Sequence, residues 1–272
     1  KLGPFLRKHA IDRTVHLKTF ENQTVAVDTP IFVYRFLAAK KKHWLQGFRN
    51  QLESFRRHNV TPIYVFDGPP VALKHDELAK RKETKERWKK QADDASLPFF
   101  RRVQAMEYLA GVPTSTHYTE LKAFLKQEGV RFEIARDDGE KHCARLTSHN
   151  LAVAVFSQDF DTLVYGGKRL VCCSNVPGKF KEYALADVLN KFGWTQEEFV
   201  NFCVLCGSDF GKLKNFGPAR SKQMIDRFSN VEAVLNHLCR TKPGFCAPKE
   251  FQYKEAIGQF LEHLEEKEEG KE

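Results

Sequence analysis

The sequence has 272 residues, 42% hydrophobic and 12% aromatic, enough for one large domain or two small ones. Lys and Arg number 44 against 35 acids, a net charge of +9 that favours a polyanionic partner, most often nucleic acid. No stretch approaches the roughly 18–20 apolar residues of a membrane span, no signal peptide stands at the start, and an odd count of seven cysteines argues against a disulfide scaffold and for a reducing compartment.

In chain order, TVAVD over residues 24–28 reads as a short strand, and Trp44, Leu45, Phe48, Leu52 and Phe55 recur at helical spacing. PIYVFDG over 62–68 reads as a second strand ending in a turn. A charged helix is expected over about 71–90, then a loop or cap connection at ADDASLPFF (92–100). A helix around 118–128 precedes VRFEIARDDGE, and another starts near Lys141. LAVAVF over 151–156 has the composition of a strand buried on both faces, and RLVCCSNV follows. Thr195 with Glu198 three residues on is a capping-box helix start. Cys203 and Cys206 have CxxC spacing but lie in an apolar run with no second pair, so they read as core cysteines, as do Cys172 and Cys173. There is no internal repeat, and EEKEEGKE reads as a solvated helix end. Alternating strands and helices predict an α/β fold, a mainly parallel central sheet with helices on both faces.

The apolar runs share one oddity. Asp28 ends VAVD, Asp67 ends IYVFD, Asp138 and Glu140 follow RFEIA, Asp159 and Asp161 follow AVAVF, and Asp209 follows FCVLCGS. Parallel sheets place ligand sites just beyond the carboxyl ends of their strands. If those ends lie side by side, seven carboxylates meet on one edge, and their repulsion demands cations. Oxygen-only ligands select Mg²⁺ or Mn²⁺ over zinc, and two such ions ~4 Å apart suit in-line phosphodiester cleavage. Each piece alone has a plainer reading: Asp67-Gly68 as a turn, Asp138-Gly139-Glu140 as a helix cap, Asp159-x-Asp161 as a strand-end turn or the DxD of a phosphatase or glycosyltransferase. The recurrence after successive apolar runs favours the metal edge.

With VAVDTPIFVYRFL, VFDGPP…LKHDELAKR, DDGEKHCA, SQDFDTLVYG and LCGSDFGKLKNFGPARS, the chain resembles the flap endonuclease family of structure-specific 5′ nucleases, which includes exonuclease one and Holliday-junction resolvases of this type. The resemblance runs from near the N-terminus to about Phe260. It implies a single PIN-like 5′ nuclease domain over 1–272, a helical arch or cap at about 71–115 and a helix–two-turn–helix region at about 196–240. It matches Asp28, Asp67, Asp138, Glu140, Asp159, Asp161 and Asp209 to the family's acidic metal site, with Asp138 where the family usually has Glu. It implies two Mg²⁺ ions, replaceable by Mn²⁺, and a K⁺ ion at the helix–two-turn–helix element.

Residues 71–90 hold eight Lys/Arg against four acids, in isolation a solvated charged helix. Lys74 and Arg81 are seven apart, two helical turns, on one face. They match the family's catalytic Lys and Arg, and Tyr34 matches an aromatic that stacks on the unpaired nucleotide. Gly217 and Pro218 mark a turn into a helix, whose N–H groups with Lys212, Lys214, Arg220 and Lys222 suit duplex backbone. Here the sequence departs from the family: the hairpin is one residue shorter and Asn215 replaces the first Gly. The segment from Tyr34 to Asp67 is also short, the cap compact, the Met-Gly-Ile start absent and no sliding-clamp motif visible.

The expected function is divalent-metal-dependent cleavage of flapped, nicked or branched DNA in replication, repair or recombination. The expected protein is a monomer without membrane contact, in the nucleus or at a viral or organellar replication site. The rivals are a ribonuclease on the same fold, a binding scaffold that does not cut, and a small-molecule phosphatase that would leave the basic helix and NFGPARS unexplained.

Overall fold

The computed structural model describes residues 2–69, 75–208, 211–242, 244–248 and 251–265. Its centre is a seven-stranded sheet. In chain order the strands are β1 (Arg13–Val15), β2 (Thr24–Asp28), β3 (Thr61–Phe66), β4 (Phe132–Ile134), β5 (Val155–Phe156), β6 (Arg169–Cys173) and β7 (Phe180–Ala184). They lie in the order β1-β7-β6-β5-β2-β3-β4. The five from β6 to β4 run parallel, and β7 and β1 close one edge antiparallel.

The central strands are apolar throughout because both faces are covered. Val25, Val27, Tyr64 and Phe66 pack into a core with α2 (Thr29–Lys40), α3 (Leu45–Arg57) and α6 (Ser115–Gln127). The alternate residues Ala26, Ile63 and Val65 pack against α7 (Gly139–Ser148). A third cluster joins α1 (Leu2–Lys8), α8 (Asp161–Val164), α9 (Leu185–Phe192), α10 (Gln196–Cys206), α11 (Pro218–Phe228), α12 (Val231–Thr241) and α13 (Tyr253–Glu265) to β6 and β7. Beyond β3, α4 (His75–Asp93) and α5 (Phe99–Ala110) form a helical hairpin, with Trp88 stacked on Tyr108 at 4.9 Å. No described helix is long and apolar enough to cross a membrane.

Several boundaries differ from expectation for local reasons. The link between α4 and α5 shrinks to residues 94–98, because Asp94 Oδ1 accepts from the Ser96 N–H (2.9 Å) and hydroxyl (2.6 Å) and turns the chain at once. Helix α6 starts at Ser115 because His117 Nδ1 accepts from the Thr114 N–H at 3.0 Å, a capping box built with histidine. The run 151–156 gives only two residues of regular strand, yet it meets β2 earlier: Val153 N–H donates to Thr24 O and Ala26 N–H to Ala154 O, both 2.9 Å. Edge strands β1 and β7 were not expected. Their buried centre is Glu182, which accepts from Arg13 Nε (2.9 Å) and from Arg169 Nε (3.1 Å) and Nη2 (2.8 Å). The capping box at Thr195 and Glu198 closes as read, with bonds of 3.1 and 2.9 Å. The seven cysteines form no disulfide among the described residues, and burial pushes the Cys203 thiol up.

Candidate active site

Strand β5 crosses to the far side of β2 from β3 and β4, so the chain reverses its direction across the sheet between β2 and β5. A crevice opens outside carboxyl ends at such a point. Asp28 is the last residue of β2, Asp67 follows β3, Asp138 stands shortly after β4, and Asp159 and Asp161 follow β5.

Asp28 is buried, and Ser157 Oγ donates to its Oδ2 at 2.5 Å. The same hydroxyl accepts from the Asp159 N–H at 2.9 Å, and the Asp161 N–H donates to Asp159 Oδ1 at 3.0 Å. Ser157 thus ties the end of β5 to the end of β2. Asp67 Oδ1 accepts from the Gly139 N–H at 3.0 Å, which joins β3 to the start of α7. A Cβ on Gly139 would lie 2.7 Å from that oxygen, so the approach requires glycine. Asp138 Oδ2 accepts from the Tyr165 hydroxyl at 3.3 Å.

These groups feel one another. Burial pushes the Asp28 carboxyl up to about 7, and the charges of Asp67 and Asp159 push the same way, against the Ser157 hydrogen bond and one from the Ile31 backbone. Burial raises the Tyr165 phenol, and Asp138, Asp161 and Glu140 raise it further. The Cys143 thiol, buried behind the site, is raised by burial and by Asp28, Glu140 and Asp67. Six of the seven expected carboxylates therefore share one electrostatic neighbourhood. Asp209 and Lys74 lie outside the described residues, as does the side chain of Arg81, whose backbone is in α4.

Among the described residues no three His, Cys, Asp or Glu side chains are gathered tightly enough to hold an ion as they stand. The donor chemistry still selects the ion. The donors are all carboxylate oxygens, and the influences on Asp28 are burial, two like charges, a hydroxyl and a backbone N–H. An anionic pocket of this kind suits a hard divalent cation such as Mg²⁺ or Mn²⁺ better than zinc.

Two cavities reach this edge at Gln158, the residue before Asp159. One of about 700 Å³ is lined by Asp159, Asp161, Ser208 and Lys212, with Arg7 from α1 on its wall. The other, about 960 Å³, lies between α2 and α5 and is lined by Tyr34, Arg35, Tyr108 and Asn175. Tyr34 is 48% exposed there, a surface ring instead of a core one. Gln158 lines both cavities, and its buried Nε2 has no hydrogen-bond partner among the described residues.

The other basic residues follow α10. Gly217 is the N-cap of α11 and Pro218 its first residue. Asn215 has φ +61, the left-handed region, which explains an Asn where a Gly was expected. Lys214 is exposed. Arg220 folds back, its guanidinium 4.5 Å over the Phe216 ring and 3.3 Å from the Asn215 carbonyl. Lys222 pairs with Asp226 and lies over Phe192 and Trp194. Ser157, Tyr165, Arg7 and Gly139 were not singled out from sequence. Only Ser157 carried a signal, a hydroxyl just before the paired aspartates.

The XPG N-terminal domain matches residues 1–88 and the XPG I-region residues 129–209, together more than half of the chain. Flap endonuclease 1 of Entamoeba histolytica is 28% identical over 264 residues, covering 89% of this chain and 69% of that protein. The catalytic core of Rad2 in complex with DNA substrate superposes with a TM-score of 0.73 at 21% identity, over 94% of this chain and 84% of that one. Flap endonuclease-1 from Methanococcus jannaschii superposes with 0.66 at 20% identity, over 92% and 81%.

Proposed function

Because the chain belongs to the XPG and flap endonuclease family of structure-specific nucleases, we propose that it is a divalent-metal-dependent 5′ nuclease that hydrolyses phosphodiester bonds in flapped, nicked or branched DNA. The observation that carries the reading is the convergence of Asp28, Asp67, Asp138, Glu140, Asp159 and Asp161 beyond the carboxyl ends of β2 to β5. A scaffold that only held nucleic acid would gain nothing from this repulsion, and a small-molecule phosphatase would not need the net charge of +9.

Asp28, Asp67, Asp138, Glu140, Asp159, Asp161 and Asp209 would hold the cations. When bound, Mg²⁺ or Mn²⁺ at this edge supplies an activated water and neutralises charge on the phosphate and the leaving oxygen. The chain's own residues do the rest. Tyr34 offers a ring face to an unpaired base beside the carboxylates, a contact of ~1–3 kcal/mol. Arg7 and Lys212 attract the backbone into the 700 Å³ cavity. Lys74 and Arg81, which follow Asp67 in the sequence, are assigned to the phosphate under attack. Lys214 and the N-terminus of α11 bear on duplex backbone, where a K⁺ ion would also bind.

The test uses end-labelled 5′-flap, nicked, gapped and four-way DNA, with a matched RNA flap, in Mg²⁺ and in EDTA. Cleavage of branched DNA in Mg²⁺, lost in EDTA and reduced by orders of magnitude in Asp159→Asn and Asp161→Asn, is expected. Full turnover in EDTA overturns the metal reading, and preference for the RNA flap makes the protein a ribonuclease.

A further inference from the structure

Asp138 is the N-cap of α7, with extended backbone (φ −81, ψ 135). An aspartate there ordinarily turns its carboxylate back onto the N–H groups of the first turn. Asp138 makes no such bond. The Gly139 N–H, the first of the helix, is bonded from outside it by Asp67, which follows β3. The Asp138 side chain has given up a stabilising local bond and is held elsewhere by the Tyr165 hydroxyl, 3.3 Å from Oδ2.

Tyr165 is well placed to hold it. It caps α8, and its N–H donates to the Asp161 carbonyl at 2.8 Å, so its backbone is locked to the residue that begins the helix. Its ring is 3% exposed and packs 4.8 Å from Phe260 of α13. Helix α13 is tied to α7 as well: Lys141 Nζ, buried, donates to Glu262 at 2.6 Å and to Asp137 at 3.0 Å. The hydroxyl and the carboxylate it meets are thus mounted on two helices clamped by a third.

We propose that Tyr165 is a positioning residue that holds the Asp138 carboxylate off its own helix cap and toward Glu140 and Asp161, in readiness for a divalent cation. This rests on the metal reading above. Without the hydroxyl, the balance for Asp138 shifts toward the first turn of α7. The cap is regained and a ligand lost, so fold stability and metal affinity move in opposite directions. A tyrosine that served only packing would move both the same way.

The experiment measures Mn²⁺ uptake by the full chain without DNA, from the paramagnetic resonance of free Mn²⁺, and the thermal midpoint in EDTA. It uses wild type, Tyr165→Phe, Asp138→Ala and the double variant. Tyr165→Phe keeps the ring on Phe260 and removes only the hydroxyl. Its Mn²⁺ affinity is expected to fall roughly tenfold while its midpoint in EDTA holds or rises, and the change is expected to add nothing in the Asp138→Ala background. Wild-type affinity in Tyr165→Phe overturns the proposal. So does a loss of the same size when Asp138 is already Ala, or a lowered midpoint in EDTA alongside the weakened affinity. A wild type that takes up no Mn²⁺ overturns the metal reading itself, and the proposal with it.

Discussion

Asp28→Asn separates what the site costs the fold from what it does. Asp28 is 3% exposed, and its carboxyl is pushed from 3.8 up to about 7, first by burial and then by Asp67 and Asp159. At 1.36 kcal/mol per pH unit, the buried anion is disfavoured by ~4 kcal/mol above pH 7. The sign follows from the direction. The folded protein holds a proton that the unfolded chain has released between about pH 4 and 7. Stability therefore falls as pH rises through that window and stays low above it. Asparagine removes the charge and still accepts from Ser157 Oγ, so part of the hydrogen bonding survives. In EDTA at pH 8, urea unfolding of Asp28→Asn is expected to give about 2–4 kcal/mol more stability than wild type, and about none at pH 4. With Mg²⁺ at ~100 times its dissociation constant, wild type should recover about 2.7 kcal/mol by mass action and the variant much less, while cleavage is lost. A variant less stable than wild type in EDTA at pH 8, or with the same difference at both pH values, would refute the reasoning: Asp28 would then be neutralised in the fold by something other than a bound cation.

Two further outcomes follow from the arginines around Glu182 and of α11. Glu182 is buried, which raises its carboxyl, but Arg169 and Arg13 bond it and hold the net value below the usual range. Its stabilisation is present above about pH 4.5 and lost as pH falls through the lowered folded-state value, so Glu182→Gln should cost about 2 kcal/mol in urea unfolding at pH 7, a difference that narrows as the pH is lowered. On a flapped duplex, anisotropy titrations in rising salt should show Lys214→Ala with Arg220→Ala flattening the log–log slope by about one unit. Full loss of two contacts would give nearly two, but Arg220 already spends its guanidinium on Phe216 and Asn215. An unchanged slope would make KLKNFGPARS a structural joint.

The carboxylate edge was legible because strands of a parallel sheet, covered on both faces, are apolar at every position, so an acid that ends each one stands out. Asp28 at the end of VAVD and Asp67 at the end of IYVFD needed no knowledge of their neighbours. The antiparallel edge was illegible for the opposite reason: FKEYA mixes polar and apolar residues, and its buried Glu182 depends on arginines 169 and 13 residues away along the chain. Asn215 looked like a departure, and its positive φ shows a residue doing a glycine's work. The deeper limit lies in the aspartates themselves. Sequence marked Asp138 as a ligand or a helix cap and Asp67 as a ligand or a turn, and could not choose, because each residue type suits both. In the fold both readings mix: Asp67 bonds the first N–H of α7, and Asp138, at the cap, bonds a tyrosine 27 positions later. The Asp67 bond requires Gly139, since any side chain there would part Asp67 from the helix. A pattern of three residues, Asp138-Gly139-Glu140, thus encodes a site whose logic becomes readable only when β3 and α8 arrive beside it.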